Sequence, residues 1–175
     1  MRQLYKDDDY VIFQYPSTIC DFYIKGIDNM YFQKKVRFFL NYISGGLIYC
    51  LKDINADEII GYCMISIGKA FHYNYAEIND ITIGPIYIKN NYRGKRLSIL
   101  LLKQVLKDNI DKREKAYAYI HVINKQSNAL FSRLGFIPRY NVDIARLSRR
   151  VSISSKETTD YKLYEKDLKN CNLEI

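Results

Sequence analysis

Between Ile86 and Ser98 the chain reads IYIKNNYRGKRLS, an apolar run, a turn carrying Arg93, Gly94, Lys95 and Arg96, and the start of a second apolar run with helical spacing. A strand, a basic glycine turn and a helix start in that order can seat an anion. The first N–H groups of a helix lack intrahelical partners and lie at the positive end of its dipole, so a phosphate docked there collects hydrogen bonds and field together. Arg93, Lys95 and Arg96 add full charges. The same residues also suit a plain solvated basic turn, and the segment alone leaves both readings open.

A second segment, Asn124 to Phe136 (NKQSNALFSRLGF), follows one strand and one helix later. Together the two segments resemble the GNAT acyltransferases. In that family Arg or Gln, two residues, Gly, one residue and Gly or Ala stand between a strand and a helix, and Arg93, Arg96 and Ser98 hold those positions here. Asn124, Leu130, Phe131, Leu134, Gly135 and Phe136 match the family's second segment without a gap. The resemblance is close over Glu77 to Phe136 and weak elsewhere.

The resemblance implies acetyl-CoA as co-substrate and no metal. It implies that the backbone of Ile86, Tyr87 and Ile88 pairs with the pantetheine arm like an added strand. Arg93, Gly94, Lys95, Arg96, Leu97 and Ser98 would then hold the pyrophosphate, and Asn124, Ser127 and Phe131 would line the arm. Asn124 serves equally as a helix N-cap. Two positions depart from the family pattern. Arg96 replaces a glycine, which an ordinary right-handed helical backbone would tolerate. Phe131 replaces a tyrosine able to protonate the leaving thiolate, and Phe131 has no proton to give.

Acetyl transfer from a thioester to an amine needs a held donor, a neutral amine, a polarised carbonyl and a proton for the leaving thiolate. Asp80 and Glu77, expected on the fourth strand, are candidates to accept the amine proton, although Thr82 lies nearer one common base position. His121, at the end of the fifth strand, titrates in a useful range and is a third candidate. His72 is a weaker one. Tyr140 is the candidate proton donor, beside water or direct release as thiolate.

Composition narrows the classes. At 175 residues the chain is read as one domain, 1–175, able to bury roughly 70% of its unfolded surface. No run approaches the roughly 20 apolar residues of a membrane span. Acidic residues at the N-terminus stand where a signal peptide needs an apolar core, so a cytoplasmic location is expected. Cys20, Cys50, Cys63 and Cys171 show no paired spacing, which points to reduced, mostly buried thiols rather than a disulfide frame or a zinc site. The net charge of +8 fits nucleic acid, an anionic membrane face or a phosphate-rich ligand. Its scatter through Lys34-Lys35, Arg93–Arg96, Lys112-Arg113 and Arg146–Arg150 weighs against nucleic acid.

Periodicity predicts the supporting elements. Val11–Tyr15 reads as a strand, with Ser17 or Thr18 capping a helical region that Gly26 interrupts. Tyr31–Tyr42 reads as a helix with Phe32, Val36, Phe39, Leu40 and Ile43 on one apolar face. Leu47–Leu51 and Ile59–Ile67 form an antiparallel hairpin. Ala76–Ile88 is a long strand bent or bulged at Gly84-Pro85. Ser98–Lys107 is a helix packing Leu101, Leu102, Val105 and Leu106, Ala116–Ile123 a strand, and Ser127–Leu134 a helix ended by Gly135. Phe136–Val142 and Tyr161–Tyr164 are closing strands around a polar insert. The fold class is therefore α/β, a mixed α+β chain. The resemblance implies the GNAT fold, a central mixed, mostly antiparallel sheet splayed between strands 4 and 5 and flanked by helices.

The function expected is an N-acetyltransferase acting on a primary amine of a small molecule, an amino sugar among the candidates, by direct attack in a ternary complex. Two other readings stand beside it: a non-catalytic GNAT-like module binding CoA or nucleic acid, and a protein N-acetyltransferase. Such domains also pair through their C-terminal strands, which allows for a homodimer.

Overall fold

The computed structural model describes residues 2–27, 32–69, 72–146, 148 and 150–169. Tyr31 and Cys171, and positions 147 and 149 of the basic insert, lie outside them. The fold is mixed α/β with mostly antiparallel pairing, and the chain divides into two compact units, Met1–Ser66 with Gly84–Asp108 and Ile67–Ile83 with Asn109–Ile175.

The first unit is built on an N-terminal meander. Strand β1 (Arg2–Lys6) pairs antiparallel with β2 (Tyr10–Gln14), and β2 pairs with β3 (Leu47–Asp53). The expected hairpin is present, β3 pairing antiparallel with β4 (Glu58–Ile67). Ile48 to Leu51 are buried without alternation, which marks β3 as a central strand covered on both faces. Phe13, Ile48, Cys50, Tyr62 and Met64 form one core with Ile24, Ile27 and Phe38. Helix α1 (Phe32–Ile43) supplies Phe38. Over the described residues 17–27 no helix forms: Thr18 Oγ1 accepts the Asp21 N–H at 3.1 Å and closes a turn instead. The expected apolar face of α1 is also turned outward. Phe32, Val36, Phe39, Leu40 and Ile43 are all exposed, while Phe38 and Asn41 face inward.

Strand β5 (Ile81–Ile88) begins five residues later than periodicity predicts, because Ala76 to Asp80 are irregular around a turn at Ile78 and Asn79. Its last five residues belong to the first unit, beside β4, and lead through a single 3-10 turn (Asn90–Tyr92) and the basic turn into helix α2 (Leu97–Asn109). Leu101, Leu102, Val105 and Leu106 of α2 are fully buried as expected, each worth about 2 kcal/mol of transfer free energy.

The second unit contains the start of β5, then β6 (Lys115–His121), helix α3 (Lys125–Arg133), β7 (Ile137–Ile144), β8 (Val151–Ile153) and β9 (Tyr161–Asp167). The strand order is β5-β6-β9-β7-β8. The parallel β5–β6 ladder comprises only Ile81↔Ala116 and Thr82↔Tyr117. Gly84, at φ +130 and joined to Pro85 by a cis bond, lies two residues past its end. Strand β6 goes on to pair antiparallel with β9 as far as His121↔Tyr161. Strand β8 arises inside the insert that polarity marks as irregular, and Tyr73, Tyr117, Val142, Val151 and Leu163 pack as one core. Among the described residues no helix is long and apolar enough to cross a membrane. Cys50 and Cys63 are buried, which pushes their thiols up, and Cys20 is exposed.

Candidate functional site

In the first unit, β5 delivers the chain to the basic turn along a close approach to β4. Lys89 N–H donates to Ile60 carbonyl at 2.8 Å. At Gly61 of β4 a Cβ would stand 2.8 Å from the Tyr87 carbonyl oxygen and 2.5 Å from Ile88 Cδ1, so only glycine lets the strands come this near. Sequence reasoning passed over Gly61, although an isolated glycine inside an apolar strand is the signal of such an approach.

The turn itself is pinned from several sides. Arg93 Nε donates to the Ile88 carbonyl at 3.1 Å, tying the guanidinium to the strand end. Lys89 Nζ lies 2.8 Å from Glu58 and Tyr92 Oη donates to the same carboxylate at 3.1 Å. The Lys89 hydrogen bond holds Glu58 below the usual carboxylate range, whereas lost hydration and the bond to Glu58 push the Tyr92 hydroxyl up to about 12. Lys95 Nζ sits 5.3 Å over the Tyr92 ring. This support, Glu58 through Tyr92 to Lys95, carries no sequence motif.

Gly94 (φ +84) and Arg96 (φ +59) are left-handed, and Lys95 between them is not. Alternation of this kind turns successive N–H groups toward one concave side, the geometry of an anion nest. The N–H groups of Gly94, Lys95, Arg96, Leu97 and Ser98 donate to no backbone carbonyl among the described residues, and Gly94 to Arg96 are exposed. The condition under which arginine is easily tolerated at this position, an ordinary right-handed backbone, is not met: Arg96 holds the conformation that suits the family's glycine. A side chain there costs about 1–2 kcal/mol, partly offset by the greater freedom glycine has when unfolded. Arg96→Gly is expected to stabilise the protein by about 0.5–1 kcal/mol, read as a rise in thermal midpoint; a fall would contradict the left-handed assignment.

In the second unit, α3 is capped at both ends as its sequence requires. Asn124 Oδ1 accepts the Ser127 N–H at 3.1 Å. At the other end Gly135 (φ +78) donates to Ser132 and Phe136 N–H donates to the Phe131 carbonyl. This is a Schellman motif, completed by the Phe131 and Phe136 rings meeting edge to face at 4.9 Å. The Leu-Gly-Phe signature therefore has a structural meaning, and Phe131 is buried in it. Asn124→Ala is expected to cost about 1 kcal/mol of stability, and Asn124→Ser to keep it, since serine also caps.

The proton-transfer candidates are dispersed within this unit. Glu77 and Asp80 are not on β5, a correction that follows from the irregular backbone of Ala76–Asp80. Glu77 is exposed, while Asp80 is buried and accepts the Glu77 N–H at 2.8 Å. Burial raises the Asp80 carboxyl above its ordinary value. Thr82 is buried with its hydroxyl 3.4 Å from that of Tyr75. His121 Nδ1 accepts the Ile123 N–H at 3.3 Å, and its ring meets Tyr161 edge to face at 4.7 Å. Tyr140 is half exposed on β7, opposite Leu163. Burial pushes the Tyr117 phenol up, and Glu165, Asp80 and Tyr140 add to the shift, so each of these three groups lies within electrostatic reach of Tyr117. Among the described residues no group of His, Cys, Asp and Glu could hold a metal ion.

A family model described as the acetyltransferase (GNAT) family matches residues 11–136. The chain belongs to the GNAT acetyltransferase family, so the enzyme class implied by the two segments, an acetyl-CoA-dependent acetyltransferase, holds. No curated relative matches the sequence. Among solved structures, a GNAT family acetyltransferase from Elizabethkingia anophelis with acetyl-CoA bound is 16% identical, with 92% of this chain and 99% of that one covered at a TM-score of 0.62. An N-acetyltransferase from Staphylococcus aureus Mu50 is 18% identical, covering 78% and 77% at 0.57. Spermidine N-acetyltransferase from Vibrio cholerae, in complex with CoA and spermine, is 16% identical, covering 79% and 76% at 0.56. At these identities the likeness is one of fold.

Proposed function

We propose that this chain transfers the acetyl group of acetyl-CoA to the primary amine of a small molecule by direct attack in a ternary complex. The observation that carries the reading is the set of unaccepted N–H groups from Gly94 to Ser98, bracketed by Arg93, Lys95 and Arg96. Such a set suits a pyrophosphate, whose charge it meets with oriented donors and cations together. The backbone of Ile86, Tyr87 and Ile88, the Asn124 and Ser127 pair and Phe131 are assigned to the pantetheine arm and thioester. Fold neighbours described with acetyl-CoA, and with CoA and spermine, support a small amine as acceptor. Among small amines we place an amino sugar beside a polyamine.

Asp80 is assigned the amine proton, received through water, because a carboxyl with raised proton affinity is the better base. Glu77 is exposed, and the His121 Nδ1 lone pair already accepts a backbone N–H. Tyr140 is assigned the thiolate proton. The test is a thiol-reporting assay across polyamines, amino sugars and peptides. CoA release with small amines supports the reading, and release with peptides alone overturns it. In the same assay Asp80→Asn and Tyr140→Phe should lower kcat while acetyl-CoA affinity is kept; unchanged kcat in either removes that residue's role.

A further inference from the structure

Where the chain enters the second unit it turns sharply: the N–H groups of Lys112 and Arg113 both donate to the Asn109 carbonyl, at 3.1 and 2.9 Å. Glu114 N–H then donates to the Asn79 carbonyl at 2.9 Å, which sets this turn against the one before β5. The two segments, with Lys169 beyond β9, line a groove of about 360 Å³ that lies wholly within the second unit. That volume is at the small end of the roughly 300–1,000 Å³ of ligand sites. Half-buried Ile110 lines it beside Asn79 and five charged side chains.

Three of the five charges are already met. Glu114 accepts from Lys169 Nζ at 2.8 Å and from Asn79 Nδ2 at 3.3 Å, and the lysine holds it below the usual carboxylate range. Lys112 has a contact of its own. The other two, Arg113 and Asp111, are of opposite sign. Arg113 Nε is buried with no hydrogen-bond partner, and among the described residues neither Arg113 nor Asp111 stands in an ion pair. A guanidinium N–H removed from water and left unbonded carries a desolvation cost that an oxyanion would offset. A polyanion does not suit the groove, because Asp111 and Glu114 line it too and repel added negative charge. A simple cation meets the same objection from Arg113. A ligand with one charge of each sign meets neither. Arg113 and Asp111 are two residues apart, so their Cα atoms lie within about 7 Å and both side chains can reach one small molecule.

We propose that this groove binds an amino-acid zwitterion, its carboxylate on Arg113 and its ammonium on Asp111. The guanidinium fork takes a carboxylate through two N–H groups at once, and Ile110 gives the ligand's carbon skeleton an apolar wall. The site is separate from the basic turn and does not depend on the acetyl-transfer reading. The test is an NMR titration of the full chain that follows the amide resonances of Ile110 to Glu114. The probes are glycine, L-alanine and L-leucine, with acetate and methylamine as the two half-ligands. Each amino acid should shift these resonances saturably, and each half-ligand should bind at least tenfold more weakly. Arg113→Gln and Asp111→Asn should each weaken amino-acid binding about tenfold or more, the range of one lost hydrogen bond between charged groups. Neither side chain is ion-paired within the described residues, so both variants should melt as the wild type does. Should either fail to fold, the comparison of amino acids with half-ligands on the wild type still decides. Resonances that do not move, acetate or methylamine binding as tightly as the amino acids, or full affinity in either variant would overturn the proposal.

Discussion

Replacing Arg93 by glutamine and Lys95 by alanine together is expected to weaken acetyl-CoA binding roughly 10- to 100-fold. A hydrogen bond to a charged group is worth about 1.5–3 kcal/mol when the site is shielded and less at a wet surface. Both side chains sit on an exposed turn, so the lower part of that range applies to each. The five N–H groups and Arg96 remain in the double variant, which is why binding weakens rather than disappears. Wild-type affinity should fall as salt rises, and the variant should show a shallower dependence, because fewer exposed charges are left to screen. Dissociation constants measured over a salt series check both statements. Unaltered affinity would mean that the turn does not face the phosphates.

The second large effect is expected at Gly61. Adding one carbon in Gly61→Ala places it 2.5 Å from Ile88 Cδ1 and 2.8 Å from the Tyr87 carbonyl oxygen. The isoleucine tip can rotate away, but the carbonyl belongs to the strand backbone and moves only with β5. Overpacking of this kind costs about 1–3 kcal/mol, or roughly 3–10 °C of thermal midpoint for a chain of this size. The displacement also reaches the turn, since Arg93 is tied to the Ile88 carbonyl. Gly61→Ala should therefore lose acetyl-CoA affinity along with stability, whereas Asn124→Ser tests the assigned pantetheine contact with the helix cap kept. A Gly61→Ala protein that melts like the wild type would show that the strands tolerate the carbon.

What could be read from the sequence was what local chemistry decides. The β3–β4 hairpin, the buried face of α2 and the capped α3 each follow from alternation, helical spacing or a capping residue close in the chain. The basic turn was legible for the same reason, its charges, glycine and flanking elements being contiguous. The left-handed backbone of Arg96 was hidden because the residue that usually announces it, glycine, is missing there. Periodicity also located the apolar arc of α1 without saying which way it faces, since that depends on what the opposite arc meets. Just before β5, Ile78 extends the apolar run of Ile81 and Ile83 upstream although it is 75% exposed in a turn. Asp80 and Glu77 were placed on β5 by that coincidence. Strands β1 and β8 carry no periodic apolar signal, because one is rich in charge and the other is three residues long inside a polar insert.

The most direct test of the central claim is to follow the backbone amide resonances of Gly94, Lys95, Arg96, Leu97 and Ser98 by NMR during a titration with acetyl-CoA. If these N–H groups hold the pyrophosphate, their signals should shift together and saturate at one equivalent, with dephosphorylated pantetheine leaving them in place. Saturable binding of acetyl-CoA with those five signals unmoved would contradict the account.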